Sequence, residues 1–198
     1  MKKIITFFTA VAFSTAMFAQ PVTIIHGGGN LSKFTGKDGV GDFTPGYQIG
    51  LSNDGGGKIS LEPGIFLIHK GGQIGSGTFK TITNLNYLQI PVNVNFKAKV
   101  ENIRLTAGFG VYGSVGLWAN RRTGSINQPI NFFAKDNNIL DGDIKFYDFG
   151  GQIFFRAVME QFGVTLGYQP GFANISKIGS YNNSSFYLTL SYFLIDQR

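Results

Sequence analysis

The chain has 198 residues, among them 28 Gly, 20 Phe, 8 Tyr, 1 Trp and no Cys, with 14% charged residues and a net charge of +6. Without Cys there is no disulfide scaffold, thiolate metal site or cysteine nucleophile, and the apolar and aromatic content argues against disorder. Glycine at about twice the usual ~7%, with no three-residue period, argues against helix bundles and collagen and for strands joined by many turns.

Residues 1–19 read as a signal peptide and 20–198 as one domain. Lys2 and Lys3 form a basic start, residues 4–17 are apolar and uncharged, and Ala19 precedes the expected cleavage bond, with Ala16 as the alternative. The apolar run is short against the ~20 residues of a membrane helix, and no later segment approaches that length. Removing the leader lowers the net charge from +6 to +4 by taking away two lysines. The only basic doublet beyond it is Arg121-Arg122, so no nucleic-acid partner is expected.

The rest of the chain alternates with a period of two, which places successive side chains on opposite faces of a strand. Weaker copies occupy residues 23–32, 47–52 and 59–70. In residues 87–97, Leu88, Ile90, Val92, Val94 and Phe96 alternate with Tyr87, Gln89, Pro91, Asn93, Asn95 and Lys97. The clearest stretch is 103–118, where the odd positions are apolar and the even ones, from Arg104 to Trp118, are mostly polar or small. Residues 147–157, 162–169 and 185–192 repeat the pattern. That makes about eight strands near the ~9–11 residues that a tilted strand needs to cross a bilayer. Pro91 removes a ladder donor and predicts a bulge at its own position.

The connections alternate between long and short. Residues 34–45, 71–84, 120–143 and 174–183 are the long ones; 53–57, 99–102 and 160–161 are the short ones. Outer-membrane barrels have short periplasmic turns and long external loops. The polar faces carry Glu62, Arg104, Asp148, Gln152 and Arg156. Facing lipid at mid-depth, an Arg would cost about 2–4 kcal/mol. Facing inward, Glu62 and Asp148 can pair with Arg104 and Arg156. Tyr47, Tyr147, Phe149, Phe172 and Phe186 fall near the loop end and Phe96, Phe162 and Tyr192 near the turn end, as two aromatic girdles would. Inward Gly50, Gly64, Gly108, Gly110, Gly116 and Gly150 make room for inward Tyr112, Trp118 and Phe154. The fold expected is therefore all-β: an eight-stranded antiparallel up-and-down transmembrane β-barrel, narrow enough to be filled by side chains.

Catalytic, cofactor and metal sites are not expected. Gly108-Phe109-Gly110-Val111-Tyr112-Gly113 matches G-x-G-x-x-G but lies inside a strand with no helix after it. His26 and His69 lack metal-ligand spacing. His26 and Ser32 on one strand stand about 20 Å apart at ~3.3 Å per residue. In the loop 120–141, Arg121, Arg122, Phe132 and Phe133 form a candidate interaction patch. Exposed Phe pairs need lipid, the barrel rim or a partner, and the arginines suit lipopolysaccharide phosphates.

The segment Asn84-Leu85-Asn86-Tyr87-Leu88-Gln89-Ile90-Pro91-Val92 resembles the Tyr-Leu-x-Ile-Pro strand of the small outer-membrane β-barrel proteins common in Bacteroidetes, often labelled porin-family. Gly29-Asn30-Leu31-Ser32-Lys33-Phe34 is similar to their first strand and Phe146-Tyr147-Asp148-Phe149-Gly150 to their sixth. The family motif falls on Tyr87, Leu88, Ile90 and Pro91. The chain departs from the terminal aromatic of many such barrels, ending Tyr192-Phe193-Leu194-Ile195-Asp196-Gln197-Arg198. The resemblance implies an outer-membrane location, with lipid, lipopolysaccharide and envelope proteins as partners. It leaves three roles open: a non-enzymatic structural or surface-interaction barrel, a narrow channel, or a secretion-system component. On pattern alone, a soluble periplasmic barrel binding a small apolar ligand is the remaining alternative.

Overall fold

The computed structural model describes residues 22–37, 41–74, 80–124, 126–130, 144–177 and 179–194. The expected leader and the loop residues Phe132 and Phe133 lie outside them. Nine strands are present among the described residues: β1 (Val22–Thr35), β2 (Thr44–Asp54), β3 (Ile59–Ile74), β4 (Thr81–Val100), β5 (Ile103–Thr123), β6 (Ile126–Ile130), β7 (Tyr147–Met159), β8 (Phe162–Pro170) and β9 (Asn182–Phe193). Eight of them form a ring in the order β4-β3-β2-β1-β9-β8-β7-β5, which the β4–β5 ladder closes. Every pairing is antiparallel, including the β1–β9 seam that runs from Ile24–Phe193 to Thr35–Asn182. β6 pairs with β5 alone, above the barrel. Closure leaves the ring without an edge strand.

The short turns lie where expected. Val100 pairs with Ile103 across Glu101 and Asn102, and Met159 pairs with Phe162 across Glu160 and Gln161. Glu101 and Glu160 take left-handed backbone, φ 52° and 54°, so two residues suffice to reverse the chain. Two expected loops are partly strand. Residues 71–84 hold a ladder from Gly71–Asn84 to Ile74–Thr81. Beyond Asn120, β5 continues to Thr123 and returns as β6, pairing Thr123 with Ile126. Both extensions are rich in Thr and Ile, which favour strands, but they lack the clean alternation that marks the barrel itself.

The bulge is not at Pro91. β4 keeps one register with β3 on either side of it, Pro63–Val92 and Phe66–Gln89, and Pro91 itself pairs with Tyr112. The register shifts instead where Asn86 pairs with Trp118 and Tyr87 with Gly116, leaving Leu117 as the extra residue on β5. Here β5 leaves β7, whose ladder ends at Val115–Tyr147. The extra residue reverses the facing of all that follows. Ala119 points in, 5% exposed, and Trp118 points out, 51% exposed, against the expectation of an inward Trp118.

The barrel is inside-out relative to a soluble one. Phe155, Phe162 and Leu190 are about 70% exposed on the outer face, while Glu62, Asp148, Gln152 and Arg156 are buried inside. A soluble barrel with an apolar interior is thereby ruled out as a description of the fold. Inward rings lie over glycines of neighbouring strands: a Cβ at Gly108 would stand 2.3 Å from Phe154, one at Gly167 2.2 Å from Tyr187 and one at Gly150 2.7 Å from the Tyr112 hydroxyl. Apolar plugs close both ends of the interior. Val22, Ile24, Val158 and Phe193 pack together at the turn end. Phe34, Leu85, Tyr87, Ala119, Ile144 and Ile175 do so at the loop end. Ile175 is delivered by the β8–β9 loop. There the Asn174 Oδ1 accepts from the Ser176 and Tyr181 amides, and its Nδ2 donates to the Gly179 carbonyl.

Candidate functional site

Between the plugs lies a polar column built from the inward positions of all eight barrel strands. Its lower half centres on Glu62 of β3 and Arg156 of β7. Both guanidinium arms of Arg156 donate to the carboxylate at 2.9 Å, and its Nε donates to Thr165 at 3.0 Å. Asn95 donates to Glu62 at 2.6 Å and Ser52 at 2.8 Å. Since the Ser52 hydroxyl proton goes to Glu62, Ser52 accepts from His26 Nε2 at 2.8 Å. His26 Nδ1 is bonded to the Ser191 hydroxyl at 2.9 Å. The bonds link Ser191, His26, Ser52 and Glu62 in one chain and place a proton on His26 Nε2. All four residues are at most 3% exposed, so this serine–histidine contact does not face a substrate surface.

The upper half centres on Asp148 and Lys70, whose charged atoms stand 3.6 Å apart. Lys70 also donates to Gln89 at 3.2 Å and lies 4.3 Å over the Tyr112 ring. Asn183 donates to Asp148 at 3.1 Å. Between the halves, Gln152 donates to Asn93 through a short bond and accepts from Gln169 at 2.9 Å. The cavity between Glu62, Gln152 and Arg156 has a volume of about 30 Å³, room for one water molecule.

The structure joins Glu62 with Arg156 as expected, and brings Gln152 into the same column. It does not join Asp148 with an arginine; the partner is Lys70. Arg104 lies outside the column, half-buried at the turn end, 5.0 Å over the Phe193 ring. The reason is depth: Arg104 is the second residue of β5, beside the turn, while Arg156 sits level with Thr165 and Thr106. Lys70 and His26 were missed as members of the column, although Lys70 shares the inward parity of Glu62 along β3 and His26 that of Asn30 and Ser32 along β1. Of the family motif, Tyr87 is fully buried in the loop-end plug, Pro91 faces inward, and Leu88 and Ile90 are half-buried on the outer face.

On the outer face near the loop end, one row breaks the apolar band. Tyr47, His69, Asn86 and Trp118 occupy four adjacent strands at one level. Tyr47 stacks on His69 with ring centroids 5.3 Å apart, and His69 Nδ1 donates to Asn86 at 3.0 Å. Aromatic and amphipathic side chains of this kind suit the membrane–water boundary.

The loop end is basic. Lys33, Lys37, Lys80, Arg121, Arg122, Lys145 and Lys177 gather there against Asp42 among the described residues. Counted over the sequence, these loop-end segments gain Lys135 and aspartates 38, 136, 141 and 143, for eight cations against five carboxylates. Arg121 and Arg122 stand on the extension of β5, opposite Gln128 and Asn127 of β6, and Arg122 Nε donates to the Gly124 carbonyl at 3.2 Å. Among the described residues, no three His, Asp or Glu side chains group closely enough to hold a metal ion.

No protein-family model and no curated protein matches the chain. Solved structures do. The attachment invasion locus protein Ail of Yersinia pestis superposes with a TM-score of 0.52 at 8% identity, covering 89% of this chain and 100% of Ail. The structure of Ail in complex with the heparin analogue sucrose octasulfate gives 0.51 at 9% identity, with the same coverage. Neisserial surface protein A gives 0.52 at 8% identity, covering 88% of this chain and 99% of that one. At these identities the likeness is one of fold: the chain has the architecture of these small eight-stranded barrels.

Proposed function

We propose that the chain is an integral outer-membrane barrel, exported by its leader, which acts without catalysis at the cell surface and whose basic external rim engages anionic glycans, lipopolysaccharide phosphates foremost. The charge asymmetry between the two ends carries this reading. Over the full sequence the long connections and the strand ends beside them carry eight cations against five carboxylates. The turn end sets four cations, Lys58, Lys97, Lys99 and Arg104, against three carboxylates, Asp54, Glu101 and Glu160. Arginine forks pair well with phosphate and sulfate oxygens. That the similarly folded Ail was solved with a sulfated sugar, sucrose octasulfate, is in keeping with a rim of this kind binding such groups. The filled interior favours a surface role over transport, since open aqueous barrels need about 16 strands. Membership of the Bacteroidetes-type porin-family barrels is supported by the Tyr87-Leu88-Gln89-Ile90-Pro91 motif, with the likeness of residues 29–34 and 146–150 to the family's first and sixth strands.

The test is binding of the detergent-purified barrel to lipopolysaccharide micelles and to immobilised heparin at rising salt. The expected result is binding that weakens with salt and falls further in the Arg121→Glu, Arg122→Glu double variant. Equal binding by the variant and the parent removes the arginines from the rim's function.

A further inference from the structure

The outer face carries a second feature near the turn end. One row across the sheet reads Phe96, Ala107, Phe155, Leu166, and the row below it reads Ala98, Leu105, Ala157, Val164. Large and small side chains thus alternate across β4, β5 and β7, and Phe96 and Phe155 stand on either side of Ala107. Phe96 also stacks on Phe109 with ring centroids 6.0 Å apart, which closes the upper wall. The result is an apolar groove of about 760 Å³, within the roughly 300–1,000 Å³ of sites that hold small molecules.

The groove opens onto the apolar outer band and is continuous with it, so its occupant comes from the membrane. Its edge toward the short turns is polar and basic. Lys58 lines that edge, held against β4 by a 2.8 Å bond from the Lys97 amide to the Lys58 carbonyl. Lys97 is neutralised by Asp54. Lys58 is exposed and has no carboxylate partner among the described residues. A concave hydrocarbon surface with one uncommitted ammonium at its headgroup end is the complement of a phospholipid.

We infer that this groove binds one phospholipid of the leaflet on the turn side, with an acyl chain along Ala98, Ala107 and Ala157 and its phosphate on Lys58. The site rests on the membrane placement proposed above and is independent of the glycan-binding rim. A lysine beside lipid headgroups contributes about 1 kcal/mol, so the headgroup contact sets a preference for phosphate-bearing lipid while the groove supplies most of the retention.

The experiment is native mass spectrometry of the barrel extracted from membranes in mild detergent, with the phospholipids of those membranes as probe. The parent is expected to carry one phospholipid mass per barrel. Filling the groove with Ala107→Phe and Ala157→Phe, both on the outer face, removes that mass. Lys58→Gln lowers its occupancy about fivefold. Three results overturn the inference: a parent without bound lipid, an equal adduct on the filled variant, or a barrel dimer that the filled variant abolishes, which would make a second copy the occupant. If the filled variant does not insert, an unchanged adduct on Lys58→Gln overturns the headgroup contact and with it the site.

Discussion

Glu62 and Arg156, 94 positions apart in sequence, meet across the lumen in a two-armed ion pair with both arms at 2.9 Å. β3 and β7 are not neighbours in the ring, so the pair ties opposite walls together. Such a pair contributes little against an apolar replacement of the same shape, but stranding one member is costly. Glu62→Ala is therefore expected to destabilise the barrel by about 3–5 kcal/mol, whereas Glu62→Leu combined with Arg156→Met recovers most of the loss. Urea unfolding in lipid vesicles measures both. Equal losses for the single and double variants would show that the pair does not hold the walls.

Glycine placement makes a second, steric prediction. A Cβ at Gly108 meets Phe154 at 2.3 Å and Asn95 Oδ1 at 2.7 Å. Gly108→Ala is expected to cost about 1–3 kcal/mol through overpacking, and Phe154→Leu in the same background to return part of it. Unfolding midpoints that do not move with Gly108→Ala would place the ring elsewhere.

Trp118, the chain's single tryptophan, reports the bulge at Leu117. Facing outward, it is expected to be quenched by lipids brominated on their acyl chains when the barrel is in vesicles, and more weakly by aqueous iodide. Deleting Leu117 removes the extra residue and sets Trp118 directly after the inward Gly116, so Trp118 should stay outward and keep its lipid quenching. Quenching by iodide alone in the parent would contradict the outward assignment.

The plugs predict a closed barrel. In a planar bilayer the parent is expected to show no steady conductance, because apolar side chains close both ends and the cavity between Glu62, Gln152 and Arg156 has room for a single water. Opening the loop-end plug with Ile175→Gly and Tyr87→Ala is not enough while Val22, Ile24, Val158 and Phe193 remain at the other end. Conductance therefore requires Phe193→Ala as well. Steady conductance in the parent would restore the narrow-channel role.

Most of the barrel was legible because alternation is strongest where one face meets hydrocarbon and the other a polar interior, as in residues 103–115. Counting parity along such a strand fixes Glu62, Asp148, Gln152 and Arg156 inside. Parity fails where a strand gains a residue, and nothing in Val115-Gly116-Leu117-Trp118 marks Leu117 as the extra one. The bulge is set by the departure of β5 from β7. Pro91 misled in the opposite way: a missing donor interrupts one ladder without shifting register. Partners across the lumen were legible in type but not in identity. Depth along the barrel depends on the stagger between strands, so Asp148 meets Lys70 and Arg104 stays at the turn end.

The most direct test of the membrane-spanning, inside-out barrel is the gel mobility of the protein in the outer-membrane fraction, with and without boiling in detergent. The barrel described here should partition to that fraction, migrate in its folded form when unheated, and shift on boiling. Recovery in the soluble periplasm with one mobility under both conditions would contradict it.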